Sequence, residues 1–203
     1  MAPKLIAQGA EAKIILSKDF VIKDRISKSY RIKELDYKIR KSRTKAEAKL
    51  LEKASKIINS AAPLFQPTKG FTTIKMPYID GKKLSDNLGK FKIKKQKQIC
   101  KQIGEDVAKI HDENIIHGDL TTSNMILKDN LIYFIDFGLG YISHKFEDKA
   151  VDIHLFKQAL EAKHFQNWEV LFKEFEKGYS KSKDSKIVFE RLKAVEKRGR
   201  YKH

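Results

Sequence analysis

The stretch His117-Gly118-Asp119-Leu120-Thr121-Thr122-Ser123-Asn124, followed after residues 125–135 by Asp136-Phe137-Gly138, decides how this chain is read. Asp119 and Asn124 share one short loop, so both can face one cavity. Met125-Ile126-Leu127 and Leu131-Ile132-Tyr133-Phe134-Ile135 flank the turn Lys128-Asp129-Asn130, which predicts a hairpin. That hairpin carries the chain out and back and returns Asp136 to the start of the loop. Two carboxylates and an amide oxygen then converge. Such hard oxygen donors suit Mg²⁺ with phosphate, because Mg²⁺ prefers one or two protein carboxylates completed by substrate oxygens. Asp119 is left to accept a hydroxyl proton. His, Asp, Asn, Asp, Phe and Gly at this spacing arise by chance at most on the order of once in 10⁴ chains of this size, at about 5% usage per residue.

Working outward, residues 1–22 read as two strands around the turn Ser17-Lys18-Asp19. Residues 30–59 read as helical, with apolar positions 46, 50, 51, 54, 57 and 58 at helix-face spacing. Pro63 and Pro67 break that helix, Phe71 to Met76 is a strand that Pro77 ends, and Asp80-Gly81 is a turn. Beyond it, Ile99, Ile103, Val107 and Ile110 place a helix over 96–112, Ile115-Ile116 precede the central loop, and residues 150–176 return to helix. The expectation is an α+β fold with a small antiparallel sheet and helices in 1–79, a mainly helical part in 80–196, and a basic tail in 197–203.

The 203 residues are 41% apolar, enough for a real core. No apolar run approaches a membrane span, and no apolar stretch follows the first residues as a secretory signal would require. One cysteine, Cys100, excludes an internal disulfide or a cysteine zinc site, and a reducing, cytoplasmic setting is expected. Lys and Arg number 43 against 26 Asp and Glu, a net charge of +17 that suits a polyanionic partner. The charge is segregated: residues 23–56 carry net +8, 82–101 net +7 and 181–203 net +6, whereas 102–160, which hold the central motif, carry net −5. Lys197-Arg198-Gly199-Arg200-Tyr201-Lys202 is dense enough to contact nucleic acid or a partner through Lys197, Arg198, Arg200 and Lys202, or to remain a solvated tail.

The central motif resembles the catalytic loop His-Arg-Asp-Leu-x-x-x-Asn and metal loop Asp-Phe-Gly of eukaryotic-type protein kinases, with Gly118 in place of Arg. The resemblance implies a bilobal protein-kinase-like fold, with a small sheet N-lobe and a reduced helical C-lobe, that uses ATP and Mg²⁺. It makes Asp119 the catalytic base and Asn124 and Asp136 the metal ligands. Phe20-Val21-Ile22-Lys23 resembles the strand that carries the phosphate-binding lysine. Its partner would be Glu47, with Glu52 as the second candidate, although Thr44-Lys45-Ala46-Glu47 also reads as a capping box. The glycine-rich loop is reduced to Gly9-Ala10-Glu11-Ala12, where Glu11 brings negative charge toward the phosphates unless something pairs it. Met76-Pro77-Tyr78-Ile79 would be the hinge, with adenine against Met76, the Pro77 carbonyl and the Ile79 N–H.

The segment from Asp136 to Asp152 is too short for an ordinary activation loop, and Thr121 stands where a serine/threonine kinase usually has lysine. Gln8-Gly-Ala-Glu-Ala12, Tyr30-Arg31, Leu35-Asp36, Arg43-Thr44, Glu47-Ala48, the central loop, Ile135-Asp-Phe-Gly-Leu139, Glu147-Asp-Lys-Ala-Val-Asp152 and Arg198-Gly-Arg200 are together similar to the small atypical kinase subunit of the KEOPS complex, the p53-related protein kinase family. That resemblance implies an ATPase and serine/threonine kinase working with the threonylcarbamoyl-transferring KEOPS subunit on tRNA. Two other readings stand beside it. One is a small-molecule phosphotransferase of the aminoglycoside or choline kinase type. The other is a catalytically silent scaffold that binds RNA and a partner.

Overall fold

A computed structural model describes residues 3–65 and 72–199; Pro67, Phe71, Arg200 and Lys202 lie outside the described residues. The chain opens with strands β1 (Lys4–Gln8), β2 (Ala12–Ser17) and β3 (Phe20–Arg25), followed by helix α1 (Lys33–Ser55) and strand β4 (Thr73–Pro77). The four strands form one antiparallel sheet in the order β1-β2-β3-β4. Three strands thus stand where the alternation of residues 1–22 suggests two. The segment Lys4–Gln8 is exposed along its whole length, so it has no buried face to write into the sequence.

Next come β5 (Lys82–Lys83), α2 (Leu84–Asn87), α3 (Ile93–Asp112), β6 (Ile115–Ile116), β7 (Met125–Lys128), β8 (Leu131–Phe134) and β9 (Tyr141–Ile142). Helices α4 (Phe146–Lys163), α5 (Trp168–Tyr179) and α6 (Ser185–Gly199) complete the fold. Strands β7 and β8 form the expected hairpin, with Met125 opposite Phe134, and β5 adds to it. Its tight turn places both Asp129 and Asn130 at positive φ, a conformation these side chains tolerate. The Phe134 N–H donates to the Asn59 carbonyl at 3.0 Å and so ties the hairpin to the segment after α1.

The apolar period read over 150–176 hides a break: the backbone leaves the helix at His164 and re-enters at Trp168, giving two helices. Helix α6 uses the spacing Val188, Leu192 and Val195, diluted by charged neighbours. Lys157–Glu196 at 2.6 Å and Arg198–Glu147 at 2.7 Å join it to α4. Lys197 and Arg198 therefore sit in the last turn of a docked helix rather than in a separate arm.

The core runs from Ala48, Leu51 and Ala54 of α1 through Ile74 and Phe134 to Ile103, Val107, Phe156 and Phe175. Helices α3 and α5 approach at backbone distance. A Cβ on Gly104 would lie 2.1 Å from the Phe175 carbonyl oxygen, and one on Gly178 would lie 2.1 Å from that of Lys101. Cys100 is buried in α3, and burial pushes its thiol up to about 12, so it is a packing residue without thiolate character. No helix of the described residues is long and apolar enough to cross a membrane.

Candidate active site

Strand β3 alternates faces, so Lys23 and Arg25 point the same way, and both are buried. The face they share looks at α1. That helix is held at its start by Asp36, which accepts from Arg40 Nε at 2.7 Å, Ser27 Oγ at 3.0 Å and the Lys28 N–H at 3.2 Å. With α1 so placed, Glu47, only 1% exposed, meets both cations. Lys23 Nζ donates to Glu47 Oε1 at 2.7 Å, and Arg25 Nη2 donates to Oε2 at 2.6 Å. Because α1 begins at Lys33, Glu47 lies in mid-helix. Thr44 Oγ1 donates to the Arg40 carbonyl at 2.8 Å instead of capping a helix start, so the capping-box alternative falls away. Glu52 lies on an exposed face of α1, with Lys56 at 3.8 Å, and does not take the place of Glu47 as the partner of Lys23.

Lys23 Nζ also donates to Asp136 Oδ1 at 2.6 Å. Asp136 sits at φ 62°, an unusual conformation for a non-glycine residue, and the Gly138 N–H donates to its Oδ1 at 3.2 Å. Burial by itself would raise the Asp136 carboxyl, but the Lys23 ammonium and the Gly138 N–H outweigh it and hold the group below the usual carboxylate range.

The central loop hangs from a residue of α4. Asp152 Oδ2 accepts the His117 N–H at 2.7 Å, and Oδ1 accepts the Gly118 N–H at 2.9 Å. His111 of α3 packs its Nε2 at 3.3 Å from the same carboxylate, and its Nδ1 lies 2.9 Å from the Tyr179 hydroxyl. The His117 ring is fully buried against Phe137. Its Nδ1 accepts the Asp119 N–H at 3.3 Å, which leaves Nε2–H to donate to the Ile135 carbonyl at 3.2 Å. This neutral tautomer agrees with the burial that drives its pKa down against the pull of Asp152 and Asp136. Gly118 has φ +78°, and a Cβ there would lie 2.2 Å from the Leu139 carbonyl oxygen. Glycine is required at this position by geometry. Asn124 Nδ2 donates to the Asp119 carbonyl at 2.9 Å and to Asp119 Oδ2 at 2.8 Å, which aims the carboxylate and leaves Asn124 Oδ1 as an acceptor.

Two cavities share Ile14, Lys23 and Asp136. The first, about 430 Å³, is walled by apolar Ile14, Val21, Met76, Ile126 and Ile135 and reaches Pro77, Ile79 and Asn124. Tyr78 N–H donates outward to the Asp19 carbonyl at 2.9 Å, so of residues 77–79 only Ile79 has an N–H not spoken for by that contact. The second cavity, about 310 Å³, lies under the turn Gly9–Ala12 and takes in Arg25, Arg43, Asp119 and Gly138. In that turn the Gly9 N–H donates to the Ala12 carbonyl at 3.0 Å, and Lys28 Nζ donates to the Ala10 carbonyl. Glu11 is paired with Arg43 at 3.1 Å.

An apolar cavity beside a lysine and an oxygen-rich loop fits an aromatic base with a polyphosphate. The oxygen pair Asn124 and Asp136 is a donor set for a hard cation that completes its shell with phosphate oxygens, and it lacks the nitrogen and sulfur ligands of a zinc site. No three His, Cys, Asp or Glu side chains gather into a metal site of their own among the described residues. Arg25 and His111 escaped the reading of the sequence, and Asp36 and Asp152 entered it only within the family resemblance, with no role given to them. Arg25 carried a signal, since it stands two residues after Lys23 on an alternating strand.

The family model described as protein kinase domain matches residues 5–185. The KEOPS complex subunit Bud32 of Pyrococcus abyssi is 39% identical over 98% of this chain and 96% of its own length. A probable serine/threonine-protein kinase BUD32 homolog of Archaeoglobus fulgidus is 39% identical over 95% of this chain and 94% of its own. A probable bifunctional tRNA threonylcarbamoyladenosine biosynthesis protein of Methanobrevibacter smithii is 42% identical over 98% of this chain, which spans 37% of that longer protein.

Proposed function

The chain belongs to the protein kinase family, among its Bud32-type members, and we propose that it is an ATP-dependent phosphotransferase and ATPase that serves tRNA threonylcarbamoyladenosine formation as a KEOPS subunit. The observation that carries this reading is the junction of Lys23, Glu47 and Asp136 beside the Asp119–Asn124 pair, between an apolar slot and a cation-lined cavity.

ATP enters with adenine in the slot between Val21 and Ile126, against Met76 and the Pro77–Ile79 backbone. Lys23, held and pointed by Glu47, neutralises the α- and β-phosphates. The Gly9–Ala12 turn closes over them, since Gly and Ala allow close backbone approach. Asn124 Oδ1 and the Asp136 carboxylate would hold magnesium, which would supply neutralisation of charge on the phosphate oxygens. Asp119, aimed by the Asn124 amide, accepts the proton of the attacking hydroxyl, whether of a serine, a threonine or water. Asp152 fixes the backbone of that loop without touching the reactants.

The short link from Asp136 to α4 gives no room for a peptide-docking platform, and Gly118 brings no guanidinium to read a phosphorylated loop. The working reaction is therefore one that a partner subunit completes. Relatives in which a segment similar to this chain is part of a longer bifunctional tRNA threonylcarbamoyladenosine biosynthesis protein support a threonylcarbamoyl-transferring partner. Basic side chains on α1 and at the end of α6, Lys197 and Arg198 included, contact tRNA phosphates. In the assembled complex, replacing both with Ala should flatten the log–log salt dependence of tRNA affinity by about 0.7–0.9 per lost contact.

The test of the chemistry is magnesium-dependent ATP turnover by the full chain, alone and with its complex. Asp119→Asn and Asp136→Asn should each lower it by about 10²-fold or more while circular dichroism stays unchanged. Near-native, magnesium-dependent turnover by Asp136→Asn would overturn the assignment.

A further inference from the structure

The cavity under the Gly9–Ala12 turn holds more positive charge than the roles above use. The loop from His117 to Asn124 contributes no Lys or Arg, since Thr121 stands where a cation would face the terminal phosphate. Arg25 and Arg43 line the cavity instead, in company with Lys23, Asp119 and Asp136. Their placement follows from element periodicity. Arg25 is two residues beyond Lys23 on β3, and Arg43 is four residues, one helical turn, before Glu47 on α1. Both therefore share a face with the Lys23–Glu47 pair.

Neither guanidinium is spent. Arg25 is 5% exposed; its Nη2 is taken by Glu47, but its Nε–H is buried without a hydrogen-bond partner among the described residues. A buried unsatisfied donor on a charged group costs enough that native proteins rarely keep one idle. Among the described residues Arg43 pairs with Glu11, at 3.1 Å, with the two side chains 43% and 51% exposed. A solvent-facing pair of this kind is weak and can be exchanged for a stronger anion. A planar guanidinium fork matches phosphate oxygens better than an ammonium does.

We infer that Arg25 and Arg43 form a subsite for the terminal phosphoryl group of a nucleoside triphosphate, with Glu11 as an internal anion that occupies Arg43 and yields it to the phosphate. The two arginines supply from the N-terminal sheet and helix the charge that the Asp119 loop lacks. The subsite deepens the nucleotide reading above and rests on it. It also gives Glu11 a task that its position over phosphates otherwise denies it. Glu11 holds Arg43 over the cavity rather than in solvent, and it sets how strongly a third phosphate is preferred to two.

The experiment is calorimetric titration of the purified full chain, in magnesium, with ADP and with the imido analogue of ATP. The readout is the ratio of the two affinities. Arg43→Gln should weaken the triphosphate analogue about fivefold to tenfold and ADP less than about twofold. Arg25→Lys keeps a cation for Glu47 but removes the Nε donor edge, and it should reduce the same ratio by about tenfold. Glu11→Gln should shift the ratio the other way, tightening the analogue about threefold, which damage to the fold cannot do. Equal weakening of both nucleotides by the arginine variants would assign them to holding Glu47 and the turn, and would overturn the subsite. A wild-type chain that binds neither nucleotide would overturn the nucleotide reading itself, a distinct result from unaltered ratios in variants of a chain that binds both.

Discussion

Replacing Glu47 with Gln keeps the size and one acceptor oxygen of the side chain and removes its charge. In the native protein two cations, Lys23 and Arg25, and two anions, Glu47 and Asp136, balance one another. The substitution leaves two cations facing Asp136 alone, whose side chain is 46% exposed and contacts only Lys23 of the pair. Removing one partner of a buried ion pair costs about 3–5 kcal/mol. Asp136 keeps its hold on Lys23 and the glutamine oxygen remains an acceptor, so the lower end, about 3 kcal/mol, is expected. For a chain of this size that is a fall of about 6–12 °C in Tm. Urea unfolding followed by circular dichroism measures the loss directly. Turnover should drop about tenfold to hundredfold, because Lys23 loses the group that aims it. The pairwise logic gives a second check. Adding Arg25→Met to Glu47→Gln removes the uncompensated cation, so the double variant should be more stable than the sum of the two single losses by about 1–2 kcal/mol. A Tm within about 2 °C of native, with full turnover, would refute the account of Glu47 as the shared anion of this junction.

Gly118→Ala places a Cβ against the Leu139 carbonyl at positive φ, and should cost about 2–4 kcal/mol by equilibrium unfolding. Asp152→Asn retains one acceptor but offers an N–H to a backbone N–H; it should lower turnover with a rise in KM smaller than the fall in kcat, and restoring Asp should recover both. Burial holds the His117 imidazole below its ordinary value, so the folded state resists protonation; stability should be full above the ordinary imidazole pKa and decline as pH falls below it, a slope read from urea midpoints. Asp136 has the same sign in a lower window: its carboxyl is held down, its contribution persists above the ordinary carboxylate range, and it disappears only as pH falls through that range and below, a step that Asp136→Asn should remove.

The parts of this protein legible in its sequence are those in which neighbours along the chain do the chemistry. Asp119 and Asn124 meet because five residues of one loop separate them, and Asp136 joins them through a hairpin whose strands and turn are written in residues 125–135. Helices α1 and α3 announce themselves by the period of Leu50, Leu51, Ala54 and of Ile99, Ile103, Val107. What tertiary structure alone decided lies between elements far apart in the chain. Glu47 could have capped a helix until the start of α1 at Lys33 put it in mid-helix, facing two strand cations. Gly118 reads as a missing arginine until the Leu139 carbonyl is found where its side chain would go. Lys197 and Arg198 read as a loose tail until α6 docks on α4 through Glu196 and Glu147. Asp152, one carboxylate among ten acidic residues in 102–160, becomes the anchor of the loop only because α4 brings it under two backbone N–H groups. Local pattern records the periodicity of each element and the chemistry of each loop. Which buried charge meets which is set by packing, where a low dielectric makes every unpaired group costly and selects the partners that no spacing rule contains.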